Sequence, residues 1–130
     1  MKNILFILLL LMIPAVCFAD DTKDNVTNMK LLIYKDQQEN INNMIYDNFK
    51  KSWNSINTGL KASKQNMSGF GRRNNKDYKK EAEEYDRNID KLKLDKNELK
   101  IKVIELNGKL PDWWEENEAY LIRRQRHYME

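Results

Sequence analysis

A heptad repeat runs without a slip through the second half of the chain. Its positions alternate four and three residues apart, which is the a/d seam of a helix that packs against another helix. The pattern predicts α-helix over residues 76–107 and a second helix to cover the seam. The seam residues are Tyr78, Ala82, Tyr85, Ile89, Leu92, Lys96, Leu99, Val103, Leu106 and Leu110.

Lys96 is the one polar residue in this seam. A single lysine at such a position lowers stability but sets the register or the oligomeric state. We favour a simpler interpretation, in which the methylene groups of Lys96 cover the seam and its ammonium reaches solvent.

A β-strand is the alternative for residues 99–106. Leu99, Ile101 and Val103 alternate with lysines, and Asn107-Gly108 is a common hairpin turn. Helix is favoured because the heptad starts long before Leu99 and keeps its phase. Gly108 then serves as a left-handed C-cap, and Pro111 follows the helix end.

A first helix is predicted over residues 22 to about 63. Its apolar residues have helical spacing in two sets, which together lay one stripe along the helix. The polar stretch 36–40 separates the sets, and there we expect the helix to bend or break. The sets are Val26, Met29 and Ile33, then Ile41, Ile45, Phe49, Trp53, Ile56 and Leu60.

A loop and a third helix complete the chain. Residues 64–75 contain Gly69 and Gly71 without periodicity, which predicts a loop that reverses the chain. A short helix is predicted over 112–129, with Asp112 and Glu115 resembling a capping box. Trp113 and Trp114 point about 100° apart on a helix. Either one packs while the other stays exposed or meets a partner, or both cover the open end of the thin two-helix core.

Together these elements predict an all-α fold. We expect an elongated antiparallel helical hairpin, similar to a coiled coil, with the short C-terminal helix folded across one end. A pair of helices buries little surface, so a homo-oligomer or a protein partner bound through the seam is expected.

The first nineteen residues have the layout of a secretory signal peptide. Lys2 precedes the apolar run 4–13, Pro14 closes the run, and Cys17-Phe18-Ala19 precedes a polar sequence. We therefore expect a signal peptide over 1–19, a helical domain over 20–130, and export to a bacterial periplasm or the extracellular space. Cleavage after Ala19 would remove the only cysteine.

Three alternatives to cleavage remain, and a buried core helix is the least favoured because the run is hydrophobic on every side. Residues 4–19 retained as a membrane anchor would be shorter than the roughly 20 apolar residues that a span needs. A lipoprotein acylated at Cys17 would lack the leucine and the small residue usually found before the cysteine. A membrane association is expected only if the N-terminal segment is retained.

Composition argues against several functional classes. The chain holds 23 basic and 20 acidic residues, too balanced for a nucleic-acid-binding surface. His127 is the only histidine, so neither a metal site nor a Ser-His-Asp set is expected. We predict no cofactor and no enzymatic activity.

The candidate partner-binding residues are aromatic and basic, because Trp and Arg are enriched at interface hot spots. They are Trp113, Trp114, Phe70, Arg123 and Arg124. The seam itself, from Tyr85 to Leu106, is the second candidate surface.

The predicted function is that of a small exported helical binding or assembly protein. It would act by stoichiometric contact, as a periplasmic adaptor, a chaperone-like factor or a subunit of an envelope or secretion machine. One alternative is a membrane-anchored, spanin-like periplasmic coiled coil that retains residues 4–19. Another is a secreted enzyme inhibitor.

Overall fold

Three α-helices form the chain in the computed structural model, which describes the backbone of residues 2–66 and 75–130 and the side chains of residues 24–64 and 77–130. The helices are α1 (Lys2–Asn66), α2 (Asn75–Asn107) and α3 (Asp112–Met129), and these residues contain no strand. The predicted all-α class is confirmed. Phe70, residues 67–74 of the predicted loop and the side chains of the predicted signal peptide lie outside this description.

The C-terminal part of α2 is helical, as the heptad predicts. Residues 99–106 lie within α2, so the strand alternative is wrong. The Gly108 amide donates to the Ile104 carbonyl at 2.7 Å, and Gly108 has a φ of +79°. This is the left-handed helix C-cap that glycine adopts without steric cost.

Helices α1 and α2 run antiparallel. Lys96 bonds Asn42, Asn88 bonds Asn48, and Ser52 bonds Asp86, so residue numbers fall along α1 as they rise along α2. Leu99 and Val103 of the α2 seam are buried. The remaining seam positions from Tyr85 to Leu106 are half-buried.

The face of α1 that meets α2 differs from the predicted stripe. Ile45 of that stripe is buried, but Val26, Met29, Ile33, Ile56 and Leu60 are exposed. The inward positions are instead seven apart, at residues 31, 38, 45, 52 and 59. Polar Gln38 and Ser52 occupy two of them. The apolar stripe therefore overlaps the buried face at Ile41 and Ile45 but does not define it.

The polar stretch 36–40 does not interrupt α1, so the predicted break is wrong. Gln38, in the middle of this stretch, is completely buried. Its amide reaches groups on α3, which explains why a polar residue interrupts the apolar pattern here.

Helix α3 lies lengthwise along α1 rather than across one end of the helix pair. Gln38 bonds the Trp114 carbonyl, Asn43 accepts from Arg124, and Asn54 accepts from Tyr128. The two helices are therefore parallel over these residues. The N-cap of α3 is Pro111, with no side-chain cap, so the predicted capping box is absent.

The apolar core lies where the three helices meet. Trp114 of α3 is 3% exposed and packs with Leu99 and Val103 of α2. Partly buried apolar side chains close the cluster, and they are Leu31, Tyr34, Ile41, Leu110 and Trp113.

A polar network lies beside this core. Gln38 Nε2 donates to the Trp114 carbonyl (3.0 Å) and to Glu118 Oε1 (3.3 Å), and Asn117 Nδ2 donates to Gln38 Oε1 (3.0 Å). Asn42 Nδ2 donates to the Asn117 carbonyl at 3.4 Å. Two helices thus exchange hydrogen bonds in both directions.

Lys96 joins α2 to the same network. Its ammonium lies 2.9 Å from Glu118 Oε2 and 3.0 Å from Asn42 Oδ1, and its side chain is only 12% exposed. The expectation that this ammonium reaches solvent is therefore wrong. Lys96 is a polar seam residue that bonds one group on each neighbouring helix.

Lys96→Met is expected to lower the free energy of unfolding by about 1–3 kcal/mol, because Glu118 and Asn42 then lose a hydrogen-bond donor in a partly buried site. The double variant Lys96→Met with Glu118→Leu should recover part of this loss, since no unpaired charge remains. Urea unfolding monitored by circular dichroism measures both.

Lys93→Met is the matched control, because Lys93 is exposed one turn away. It should change the stability by less than about 0.5 kcal/mol. Equal stabilities of the Lys93 and Lys96 variants would show that the Lys96 ammonium contributes nothing in the fold.

Candidate partner-binding surface

A row of aromatic rings lies along the contact between α1 and α3. We call it the aromatic ladder, and its members are Tyr120 and Tyr128 of α3 and Tyr46, Phe49 and Trp53 of α1. Ring centroids are 6.2 Å apart for Tyr46 and Tyr128, 6.3 Å for Phe49 and Tyr128, and 6.5 Å for Phe49 and Trp53. The first two pairs meet edge to face, which is a favourable arrangement for aromatic rings.

Arg124 connects Tyr120 to the rest of the ladder. Its guanidinium carbon lies 4.0 Å from the centroid of Tyr46 and 5.4 Å from that of Tyr120. Arg124 also donates from Nη1 to Asn43 Oδ1 at 2.8 Å. The ladder is thus continuous from Tyr120 to Trp53.

Helical spacing explains how the sequence builds this row. Tyr46, Phe49 and Trp53 are three and four residues apart on α1, and Tyr120, Arg124 and Tyr128 are each four apart on α3. Residues at such spacing share one face of a helix. Because α1 and α3 run parallel, the two sets lie side by side.

Cations and hydrogen bonds hold the rings. The Lys50 ammonium nitrogen lies 4.7 Å from the Tyr46 centroid, so the Tyr46 ring contacts two cations, Lys50 and Arg124. Each such contact contributes about 0.5–1 kcal/mol at a partly exposed site. The Tyr128 hydroxyl donates to Asn54 at 2.8 Å. The ladder is therefore a fixed surface rather than a set of free side chains.

The ladder continues into an exposed apolar surface where α3 ends. Ile56 is 43% exposed and Leu60 is 55% exposed, three and seven residues beyond Trp53 on α1. Tyr128, which contacts Phe49, is the penultimate residue of α3. Tyr128 also bonds Asn54, and beyond Asn54 the α1 face carries these exposed apolar side chains.

The structure separates the residues that the sequence singled out for partner binding. Trp114 lies in the core, and Trp113 is half-buried beside it, with ring centroids 6.0 Å apart. Arg123 is exposed. Arg124 belongs to the ladder, and Phe70 lies outside the described residues.

Tyr46, like Tyr120 and Tyr128, is a ladder residue that the sequence did not single out for partner binding. It lies on neither the predicted apolar stripe nor the α2 seam. Its spacing to Lys50, one helical turn away, is the available signal, since a cation at that distance reaches a neighbouring ring.

The exposed apolar side chains of α2 are weaker candidates for partner binding than the ladder. Leu94, Ile101 and Ile104 of α2 are exposed, but no aromatic or basic contact joins them. Within residues 24–64 and 77–130, no group of three or more His, Cys, Asp or Glu side chains is arranged to hold a metal ion. No helix among these residues is long and apolar enough to cross a membrane.

No protein-family model, curated protein or solved structure matches this chain. The geometry and chemistry of the ladder are therefore the best indication of what this chain binds.

Tyr46→Leu is expected to loosen the second half of α3, because the substitution removes two cation contacts and one ring contact. Amide hydrogens of residues 120–128 should exchange faster, equivalent to about 1–2 kcal/mol of lost local stability. Hydrogen exchange followed by mass spectrometry measures the change.

Tyr120→Leu is the comparison variant, because Tyr120 is exposed and its ring contact with Arg124 is the longer one. Its effect on the same amides should be smaller. The same exchange rates in both variants would contradict a central role for Tyr46 in holding α3.

Proposed function

We propose that this chain is a small exported helical protein that acts by stoichiometric contact with another protein. It would serve as an adaptor, a chaperone-like factor or a subunit of an envelope or secretion machine. The antiparallel helices provide a rigid, coiled-coil-like hairpin that carries the contact surface. Export is supported by the signal-like sequence of residues 1–19.

The observation that carries this proposal is the open end of the aromatic ladder. Tyr, Trp and Arg are the residues most enriched at interface hot spots, and here they form one connected surface. Partly exposed rings that are already held in place lose little conformational freedom on binding. Ile56 and Leu60 extend this surface with bare apolar side chains.

The spacing of the exposed residues indicates the kind of contact. Trp53, Ile56 and Leu60 follow one another at three and four residues, and α3 already packs on the preceding part of this face. A helical segment of a partner placed end to end with α3 would cover them. Helix-in-groove binding uses anchors with this spacing.

A photo-crosslinking residue placed at Ile56 or Leu60 in the native cell is expected to give one discrete adduct. The adduct should contain one partner chain, or a second copy of this chain, per molecule. Denaturing electrophoresis and mass spectrometry identify it.

Leu94 is the matched control, because it is at least as exposed and apolar but lies on α2 away from the ladder. No discrete adduct should form from it. A protein that gives the same adducts from Leu94 as from Ile56, or none from Ile56 and Leu60, would contradict binding through the ladder.

A second candidate is a membrane-anchored, spanin-like protein that retains residues 4–19. The continuity of α1 favours it, since one helix runs from Lys2 into the three-helix region. An anchor of this kind would hold the ladder at a fixed height above a membrane.

The N-terminus of the protein isolated from its cells distinguishes the two candidates. A soluble chain that begins at Asp20 is expected for the exported protein. An intact N-terminal segment in the membrane fraction would support the anchored form instead. Terminal sequencing by mass spectrometry gives the answer directly.

A further inference from the structure

Arg124 is held in place by groups that leave most of its N–H donors without a partner in the described part of the chain. Its guanidinium carbon lies over the rings of Tyr46 and Tyr120, 4.0 and 5.4 Å from their centroids. Among residues 24–64 and 77–130, Asn43 is the only acceptor that Arg124 meets, through Nη1. A guanidinium has five in-plane donors, and ring stacking does not use them.

No carboxylate pairs with Arg124 among residues 24–64 and 77–130. Lys96, by contrast, has Glu118 at 2.9 Å. An immobilised guanidinium with several open donors is prepared for a bidentate bond to a carboxylate. Because Tyr46 and Tyr120 already restrict the Arg124 side chain, it loses little further conformational entropy when it binds a carboxylate.

A groove between α1 and α3 leads to this group. It encloses about 250 Å³, and its walls combine asparagine side chains with one cation, one anion, a tyrosine and a leucine. Asn42 is fully engaged by Asn117 and Lys96, but among the described residues Asn43 Nδ2 and Asn117 Oδ1 have no partner and suit the C=O and N–H groups of a peptide. The lining residues are Glu39, Asn42, Asn43, Asn117, Tyr120, Leu121 and Arg124.

We infer that this groove receives a peptide segment of the partner protein and that Arg124 binds an Asp or Glu side chain of that segment. The inference rests on the proposed partner binding and states which chemistry selects the partner. A protein carboxylate is favoured over a free anion because the groove is lined by amides and is continuous with the ladder through Tyr120 and Arg124. Glu39 opposes an acidic ligand, so binding requires the geometry of Arg124 and not general positive charge.

Titration of the full, nitrogen-labelled chain with an acetylated and amidated Ala-Glu-Ala peptide tests the contact. The expected result is a shift of the Arg124 Nε–H resonance in the magnetic resonance spectrum. The Ala-Gln-Ala peptide should bind about tenfold more weakly, because it lacks the charge that strengthens the hydrogen bonds.

Two variants with opposite expected effects keep the test decisive. Arg124→Lys should weaken binding of the Glu peptide about tenfold, since lysine has no planar fork. Glu39→Gln should strengthen binding, because an opposing charge is removed. Glu39 is exposed, so this variant is expected to fold even if Arg124→Lys does not.

Equal binding of the Glu and Gln peptides would overturn the inference, as would inorganic phosphate shifting Arg124 at the same concentration as the Glu peptide. Weaker binding by Glu39→Gln would also overturn it. The crosslink from Ile56 distinguishes a failure of carboxylate binding by Arg124 from a failure of the proposed partner binding. An adduct that forms equally in the wild-type, Arg124→Lys and Glu39→Gln chains refutes the role of Arg124 and leaves partner binding through the ladder intact.

Discussion

The hydrogen bonds around Gln38 are the constraint on which the rest of the fold depends. Gln38 is completely buried, and its amide groups bond Trp114, Asn117 and Glu118 of α3. Leaving such a group unpaired costs about 1–3 kcal/mol, which is comparable to the gain from burying one apolar side chain. Lys96 adds a bond to α1 and an ion pair to α3. Among the described residues, every buried side-chain nitrogen and oxygen has a partner. Sliding one helix along another would break several of these bonds at once.

That alignment determines which side chains reach the surface. With Gln38 facing inward, the positions seven apart on α1 follow it, and the ring residues Tyr46, Phe49 and Trp53 come to lie on the flank of the helix. Helix α3 runs parallel to α1 because Gln38 and Asn42 bond its first two turns. Tyr128 therefore reaches Phe49, and Arg124 reaches Tyr46. The ladder is a consequence of a polar network formed two turns away.

The sequence predicted the parts of the fold that depend on regular spacing. The α2 heptad, the Gly108 cap and the all-α class follow from local pattern, because one helix face and one turn suffice to specify them. The same local pattern does not predict which face of α1 is buried. Its buried face includes Gln38, Asn42 and Ser52, and polar side chains at buried positions make sense only when their partners on other helices are known. For the same reason the role of Lys96 was misjudged: an ammonium that bonds two neighbouring helices has the same local sequence as one that reaches solvent. The ladder combines residues from α1 and α3, so periodicity within either helix could not reveal it.

Because the apolar core is small, the contacts that form the ladder also help to align the three helices. The buried apolar side chains of the described chain are Ile45, Ala82, Leu99, Val103, Trp114 and Leu121. Apolar burial on this scale holds three helices together but discriminates poorly between their alignments, because it is not directional. Directional bonds supply that discrimination near Gln38, and the stacked rings and cations supply it near Tyr46. The second group is only partly covered, since α3 ends beside Phe49 while Ile56 and Leu60 continue on α1. A partner helix placed there would extend the same mode of packing, and it would cover apolar side chains of α1 that are exposed in the chain alone.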